Sequence, residues 1–442
     1  MTRQKKSSLI IIFVVDIIFF SIITLFFLFY LAGLSMMASI IKRHSRKSDK
    51  KYLFMLTLGI FEEIQKKGVS HMFLERDENG YFDHVYSIHL FTSKDQRIEL
   101  NERHTIIEYG GKYNTVKKKG FLYLAGILTC FNAFFELYSM IISEQNCILR
   151  ATDPYIDGLY ILLLGKITNT PNCVSIHADF DKRYQINHNL VPIFFGSRKI
   201  TKILERFVLS HTKLVLPIRE SLGEYAVRNG AKPGRIRIIP HGVDILKFGK
   251  NLKEQLKKDP RFEGKKLVVF AGRLSKDNYV EDIIKAAKIV VTDYPNTLFV
   301  LIGDGPEKDQ LSKLIREYNL DKHVIFTGFL PNEKVISIRS LADVNLCLMG
   351  GFSLIEAGLS GNPVIAYNVE WHYELIKNGE TGYLLEEGNI DSLADSINAL
   401  LMDPESGKKM GEKMKNLVTE KHSLSATSKI KIDCYEELFK TR

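Results

Sequence analysis

The chain has 442 residues, a length that predicts two to three domains of roughly 150 residues each. With 45% hydrophobic and 25% charged residues it has ordinary globular composition, which excludes a disordered, collagen-like or disulfide-scaffold protein. The net charge is +10, but +7 of it lies in residues 1–51, so the basic excess is no evidence for nucleic-acid binding. The five cysteines are scattered and contain no Cys-x-x-Cys pair, so neither a disulfide framework nor a zinc site is indicated.

The first predicted element is a transmembrane helix at Leu9–Leu34, whose 26 residues include Asp16 as their single charge. At about 1.5 Å per residue this stretch crosses a hydrocarbon core of about 30 Å. It is too long for the apolar region of a signal peptide, and basic residues rather than a cleavage signal follow it. Because more Lys and Arg follow the span than precede it, we expect a single-pass inner-membrane protein whose remaining domains are cytoplasmic.

After residue 51, short apolar runs alternate with helical patterns. The long apolar stretch Phe121–Ile142 allows either a second membrane span or a buried crossover helix. We favour the crossover helix, since a second span would place the two halves of the protein on opposite sides of the membrane. The predicted strands of this half are Tyr52–Thr57, Val69–Glu75, Val85–Phe91, Cys147–Ala151 and Cys173–His177, with a helix at Leu58–Lys67.

The second half alternates strands and helices more regularly, which predicts a doubly wound parallel sheet. We expect three regions: residues 1–51 as anchor and basic segment, 52–250 as a first Rossmann-like domain, and 251–442 as a second. The sequence also allows the last helix of the second domain to pack on the first domain. The predicted strands are Leu267–Ala271, Leu298–Ile302, Val324–Phe326, Val344–Leu348 and Pro363–Ala366, and the helices follow them at Val280–Val291, Glu307–Tyr318, Glu333–Leu341 and Leu354–Leu359.

Four local patterns occur in a fixed order. They are Ile-Pro-His-Gly-Val-Asp at 239–244, Ala-Gly-Arg-Leu at 271–274, Gly-Asp-Gly-Pro at 303–306, and a Gly350–Gly358 segment that leads on to Asn378–Gly382. Each alone is weak, but together they resemble the group 1 retaining glycosyltransferases of the GT-B fold. The resemblance is strong over residues 205–420 and fainter over 52–204, where Ser-Ile-His-Ala-Asp at 175–179 is similar to the histidine-bearing loop of the family. It implies an α/β protein of two facing Rossmann-like domains, preceded here by the transmembrane helix, with the site in the cleft between them.

The resemblance further implies a nucleotide-sugar donor, whose diphosphate carries about two negative charges. Arg273, at the end of a strand, can bind it through a bidentate fork, with Lys276 close by. Gly350, Gly351 and the helix start after them form an anion site. Glu356 would accept two ribose hydroxyls. The implied donor-binding residues are Glu356, Gly350, Gly351, Phe352, Ser353, Gly272, Gly303 and Gly328, and the implied catalytic residues are Arg273, Lys276 and His177.

Each of these assignments has a plainer alternative. The alternative for Glu356 is a solvated helix carboxylate, for Arg273 half of a surface ion pair, and for His177 a capping or core histidine. The pair Asp179-Phe-Asp181 matches the metal-binding Asp-x-Asp of a different glycosyltransferase fold. We discount that interpretation, because GT-B enzymes commonly stabilise the leaving phosphate with cations and helix dipoles. No metal or other cofactor is therefore expected, and the nucleotide sugar is a substrate.

Three departures from the family pattern bear on activity. The first Glu of Glu-x7-Glu is replaced by Leu348, the Lys that follows the Gly-Arg-Leu motif by Asn278, and the first glycine-rich loop is reduced to Gly59. The leading hypothesis is a membrane-anchored glycosyltransferase that moves a sugar, with retention, to a lipid-linked or polysaccharide acceptor. The alternative is a catalytically degenerate homologue that binds a nucleotide sugar or scaffolds a polysaccharide-assembly complex. An epimerase is disfavoured by the anchor, and a dinucleotide oxidoreductase by the lack of Gly-x-Gly-x-x-Gly after the first strand.

Overall fold

A computed structural model describes residues 49–57, 59–66, 73–74, 76–110, 122–186, 197–245 and 259–441. The predicted span Leu9–Leu34 lies outside these ranges. Within them, no helix combines the length and the apolar character that crossing a membrane requires. The described residues form two compact units: the first takes those up to 218, 222–238 and those from 431, and the second takes 219–221 and those within 239–430. The second unit thus starts before residue 251, where the sequence analysis placed the second domain.

The first unit is built on a sheet of seven described strands in the order β3-β4-β2-β1-β5-β6-β7. Only β3 runs antiparallel, against β4. The central strands β1 and β5 are almost wholly buried, as expected for strands covered on both faces. The strands are β1 Tyr52–Leu56, β2 His84–Leu90, β3 Gln96–Asn101, β4 His104–Tyr109, β5 Cys147–Ala151, β6 Asn172–Ile176 and β7 Leu214–Pro217.

The long apolar helix of the first unit is a crossover between β4 and β5. It spans Leu122–Glu144, and its residues Ala133, Phe134, Leu137 and Ile141 lie in the buried apolar core. These four side chains thus pack as expected for a buried crossover helix. The helices that we label in this unit are α1 Phe61–Lys66, α2 Leu122–Glu144, α3 Ile156–Thr168, α4 Phe180–Ile186, α5 Arg198–His211 and α6 Glu220–Arg228.

The sequence prediction differs from the structure at two places in this unit. Phe73 and Leu74, the two described residues of the predicted strand Val69–Glu75, lie in a helical turn instead. Strands β3 and β4 had no counterpart in the sequence prediction. The reason for missing β3 is its polar, half-exposed character: the sequence Gln-Arg-Ile-Glu-Leu-Asn lies at the sheet edge, where pairing with β4 rather than burial holds it in place.

The second unit contains six described strands, all parallel, in the order β10-β9-β8-β11-β12-β13. Numbered from the first strand of the unit, this is the 3-2-1-4-5-6 order of dinucleotide-binding folds. The order reverses between β8 and β11, and ligands of such sheets bind outside the carboxyl ends of the strands at that point. The strands are β8 Lys266–Ala271, β9 Thr297–Ile302, β10 Val324–Gly328, β11 Val344–Leu346, β12 Val364–Tyr367 and β13 Tyr383–Leu385.

Helices of the second unit follow the predicted pattern closely. Val280, Ile283, Ile284 and Ala287, which recur at helical spacing in the sequence, form the buried face of one helix. Six of the described helices in this unit are α7 Val280–Asp293, α8 Lys308–Glu317, α9 Asn332–Leu341, α10 Phe352–Leu359, α11 His372–Leu375 and α12 Ile390–Met402; α13 Pro404–His422 follows them, and α14 Leu424–Lys440 ends the chain.

The second half of α14 belongs to the first unit. Tyr435 accepts a hydrogen bond at 2.5 Å from the buried guanidinium of Arg150 on β5. Glu437 forms an ion pair at 2.8 Å with Arg237, and Glu436 one at 2.9 Å with the chain's Lys51. Residues of α14 therefore pack on the first unit, as the sequence analysis allowed for the last helix.

Candidate functional site

Glycines line the carboxyl edge of the second sheet. The N–H of Gly272 donates to Ile302 O and that of Gly303 to Gly328 O, each at 3.0 Å, so the ends of β8, β9 and β10 lie backbone against backbone. Gly303 has φ of +130°, and a Cβ on it would lie 2.0 Å from the carbonyl oxygen of Gly272. Only glycine fits there. The result is an edge open to the close approach of a ligand.

Arg273 and Lys276 are exposed on the loop that follows β8. The N–H of Leu274 holds this loop to Asp304 O at 3.0 Å. Asn278, which the sequence analysis places at the family's lysine position, donates from its side-chain nitrogen to Arg273 O at 2.7 Å. This bond closes the short turn of residues 276–278. The loop thus presents two cations beside the glycine-lined edge. The side chain of Asn278 stabilises the conformation of this loop.

The start of α10 lies at the same edge, directly after β11. The N–H of Gly350 donates to Nε2 of His372 at 3.0 Å, while Nδ1 of His372 donates to Tyr367 O at 2.7 Å. Burial lowers the pKa of His372, so its ring is neutral and can accept that bond. The amide of Gly350 is therefore already bonded. The amides of the first turn, from Phe352 on, are the ones that a helix start offers to an anion.

A buried arginine fastens this helix start to the sheet. Arg339 of α9 is 0% exposed, and its Nη2 donates to Ser353 Oγ at 2.6 Å and to Ala271 O at 3.3 Å. Ser353 Oγ also donates to Ala271 O, at 2.9 Å. The second guanidinium nitrogen, Nη1, donates to Asn345 of β11 at 3.4 Å. Arg339 and Ser353 thus join the end of β8, β11 and the first turn of α10, so the side chain of Ser353 has a structural role.

Glu356 is the carboxylate nearest the start of α10 within that helix. Burial raises the pKa of Glu356, whereas the positive charge of Arg339 and a hydrogen bond with Asn332 act to lower it. Its neighbours Leu354 and Ile355 are buried. Glu356 is thus half-buried, with one fixed cation in its surroundings, and the interpretation as a freely solvated helix carboxylate does not fit this environment.

The second unit is similar in sequence to a known protein family. Residues 252–417 match the family model described as "Glycosyl transferases group 1". Over these residues the second unit is similar to the group 1 glycosyltransferases.

Individual relatives share lower identity. The chain is 26% identical over 289 residues to an alpha-D-kanosaminyltransferase of Streptomyces kanamyceticus, a match that covers 64% of this chain and 74% of the relative. It is 29% identical over 231 residues to an N-acetyl-alpha-D-glucosaminyl L-malate synthase of Bacillus anthracis, covering 51% of this chain and 60% of that one. A crystal structure of Anabaena HepE in complex with UDP superposes with a TM-score of 0.67 at 16% identity, over 88% of this chain and all of that one. The GT-B-like α/β fold, with two parallel-sheet domains, is thereby confirmed.

Leu348 is the position at which the sequence analysis expects the first Glu of the family's Glu-x7-Glu motif. Its side chain is 0% exposed and packs in the apolar core with Phe270, Leu346 and Ile365. The sequence analysis expected a contact with the donor sugar at this position in relatives. Here the side chain faces the interior of the second unit, so the departure removes no exposed group from the carboxyl edge.

The other predicted residues lie in the first unit. His177 follows β6 directly and is exposed. Asp179 accepts the N–H of Asp181 at 3.0 Å and caps α4. Asp181 forms ion pairs with Arg198, at 2.9 Å, and with Lys202. The Asp-x-Asp pattern of this glycosyltransferase thus has structural partners on α4 and α5.

Sequence reasoning placed the Ile-Pro-His-Gly-Val-Asp motif at the domain junction. In the structure the motif belongs to the second unit, where the N–H of Val243 donates to His422 O at 2.7 Å. The ring centroid of His241 lies 6.4 Å from that of Phe352 at the start of α10. Arg339 and His372 were missed. The available signal for Arg339 was its position one turn after Val335 on a helix whose buried residues also include Ile336 and Ile338.

Proposed function

We propose that the chain is a membrane-anchored glycosyltransferase that moves a sugar from a nucleotide-sugar donor to a lipid-linked or polysaccharide acceptor, with retention at the anomeric carbon. The observation that supports the donor most is the placement of Glu356, one turn into α10, beside the buried cation Arg339. A carboxylate held in this way can accept two hydroxyls of a ribose, while the amides before it face the phosphates.

In this mechanism Arg273, aided by Lys276, neutralises the departing diphosphate. The bond between the anomeric carbon and the phosphate oxygen breaks, and the acceptor oxygen bonds to the same carbon from the same face. The acceptor proton passes to the leaving phosphate. Fixed cations and helix amides at the place where charge develops lower the barrier, and each such donor contributes up to a few kcal/mol. By the family resemblance, His177 lies near the donor sugar.

The donor site is tested by nucleotide titration. Glu356→Ala leaves two hydroxyls of the nucleotide without their acceptor, so we expect binding to weaken by about 1.5–3 kcal/mol, the range for hydrogen bonds to a charged group. Glu356→Gln keeps the shape and one acceptor oxygen and should weaken binding less. The matched control is Glu405→Ala, an exposed carboxylate on α13. Unchanged affinity in Glu356→Ala, measured by calorimetry with UDP, GDP and ADP, would remove the site assignment.

The pH dependence gives a second readout on the same residue. Burial raises the pKa of Glu356, so the ionised acceptor forms only above a pH higher than for an ordinary glutamate. We expect nucleotide affinity to fall as the pH drops through that value in the unaltered chain. The fall should be absent in Glu356→Gln, which has no group to titrate there.

Anchoring and topology are proposed from Leu9–Leu34 and its basic flanks, with the two units in the cytoplasm on the inner face of the membrane. An acceptor at an anionic membrane surface suits that arrangement. A reporter fused to the C-terminus tests it: activity only on the far side of the membrane would contradict both the topology and the use of a cytoplasmic nucleotide sugar.

A second function is favoured by two observations. Leu348 is packed in the core and Asn278 is bonded to its own loop, so both family positions serve structure here. A chain that has lost turnover would bind nucleotide sugar or scaffold a polysaccharide-assembly complex. Donor hydrolysis by the purified chain separates the two functions: release of free sugar supports the enzyme, while nucleotide binding without any release supports the binder.

A further inference from the structure

Helix α5 of the first unit is held in one rotational position by its inward face. Glu205 is 0% exposed and accepts hydrogen bonds from Tyr155 and Arg198, each at 3.2 Å, and from Tyr225. Val208 on the same face packs in the core. Because these contacts fix which side of the helix points inward, the opposite side is also fixed.

The opposite side is apolar. Ile200, Ile203 and Phe207, which we call the α5 stripe, are 44%, 67% and 46% exposed. Their spacing of three and four residues places them on one line along the helix. Lys199 and Arg206 are exposed beside the stripe. The single carboxylate of α5 is the buried Glu205, so the outward face carries only positive charge.

We propose that the α5 stripe lies in the interfacial layer of a membrane that contains anionic lipids. A helix with an apolar line and basic residues beside it fits such a surface: the apolar side chains enter the boundary of the acyl chains and the cations meet the headgroups. A second copy of this chain is a poorer occupant. Packing two stripes together would bring Lys199 and Arg206 of each copy near those of the other, and like charges oppose that contact.

This contact is distinct from the predicted span Leu9–Leu34 and goes beyond the proposed function, because it concerns the orientation of the first unit rather than attachment. A span alone leaves the first unit free to rotate above the bilayer. Contact through α5 would turn one side of that unit towards the lipid. The two need separate tests, since an intact span would hold the full chain on a vesicle whether or not α5 touches it.

A local reporter provides that test. The chain has one tryptophan, Trp371, which is buried in the second unit, so its emission can be subtracted with the unaltered chain. We would introduce Phe207→Trp on the stripe and, as the matched control, Phe329→Trp, since Phe329 is 83% exposed in the second unit. The full chain is reconstituted in phosphatidylcholine vesicles with or without phosphatidylglycerol, whose acyl chains carry bromine as a quencher.

We expect the tryptophan at 207 to be quenched and blue-shifted in vesicles that contain phosphatidylglycerol, and the one at 329 to be unaffected. Adding Ile203→Ser should lower the ratio of inserted to free α5 about tenfold, the effect of losing a largely buried isoleucine. Replacing Lys199 and Arg206 together by Gln should abolish the preference for anionic lipid. That preference should also weaken in high salt.

Three results would overturn the inference. In the first, the tryptophan at 207 stays unquenched although the chain sediments with the vesicles. In the second, both reporters are quenched alike. In the third, the emission at 207 shifts with protein concentration when no lipid is present, which would indicate a second copy as the occupant. Nucleotide affinity measured on the same samples keeps a failure here separate from a failure of the donor site.

Discussion

Restoring the family carboxylate at Leu348 is the sharpest test of how the second unit is packed. If the position faced the carboxyl edge, Leu348→Glu would return a sugar contact and raise transfer. The structure places the side chain in the apolar core with Phe270 and Ile365, at 0% exposure. We therefore expect Leu348→Glu to destabilise the second unit and not to raise transfer or donor hydrolysis.

The size of the effect follows from burial. Losing the burial of the leucine side chain costs about 1.5–3 kcal/mol. A buried glutamate can reach a pKa of about 8–9, against about 4.3 in the unfolded chain. Keeping it protonated at pH 7 then costs about 4 kcal/mol, since each pKa unit corresponds to about 1.4 kcal/mol. The sum of roughly 5–7 kcal/mol is comparable to the whole stability of many domains.

The cost of keeping the buried glutamate protonated depends on pH, whereas the cost of losing the buried leucine side chain does not. The folded-state pKa of the new glutamate is raised, so its penalty is absent below the unfolded pKa and grows as the pH rises above it. At pH 5 the penalty for protonation is about 1 kcal/mol, so the free energy of unfolding should drop by about 3 kcal/mol more at pH 7 than at pH 5. Leu348→Gln, which is polar but uncharged, should show no such difference.

The assay is urea unfolding at pH 5 and at pH 7, with the fluorescence emission of Trp371 as the signal. Trp371 is the single tryptophan of the chain and is 5% exposed in the second unit, so it reports on the unit that carries Leu348. If Leu348→Glu is as stable as the unaltered chain at pH 7, or if it raises transfer, position 348 opens to the donor and the packing argument is wrong.

The remaining predictions concern a cation, a carboxyl pair and metal. Arg339→Met should raise the pH at which nucleotide affinity falls, because the buried cation helps to keep Glu356 ionised. Arg339→Lys keeps the positive charge and should shift that pH less. Equal pH profiles for Arg339→Met and the unaltered chain would contradict this role of Arg339. Burial raises the pKa of both Asp153 and Asp157, so the first unit should lose stability as the pH rises above about 4; Asp157→Asn should therefore raise the melting temperature more at pH 7 than at pH 4.5, measured by circular dichroism. Chelation with EDTA should leave nucleotide affinity unchanged, because Asp181 already pairs with two cations; strict dependence on a divalent ion would overturn this.

The second unit could be predicted from sequence because its strands are buried on both faces. A run such as Leu-Val-Val-Phe-Ala in β8 is then continuously apolar. Between the strands, apolar residues such as Val280 and Ile283 recur at helical spacing and indicate a helix. Strand β3 has no such signal. It is held by its pairing with β4, a contact that a single sequence does not display.

At the candidate site the sequence indicates which groups are present but not where they point. Counting along the chain identifies Leu348 as the position of a missing carboxylate, yet only the packing shows that its side chain faces the core. Arg339 and His372 act through backbone groups far from them in sequence, namely Ala271 O and the N–H of Gly350. Neither has a motif of its own, since the partner is a peptide group that every residue carries.

Because α14 returns to the first unit, that unit is assembled from segments that lie far apart in the chain. During synthesis, β1 to β7 emerge long before Tyr435 and Glu437, which bond to Arg150 and Arg237. Domains generally fold as units, and the N-terminal one first. Here the N-terminal unit cannot complete its contacts until α14 has been synthesised. Truncation within α14 would therefore damage the part of the protein that was made first.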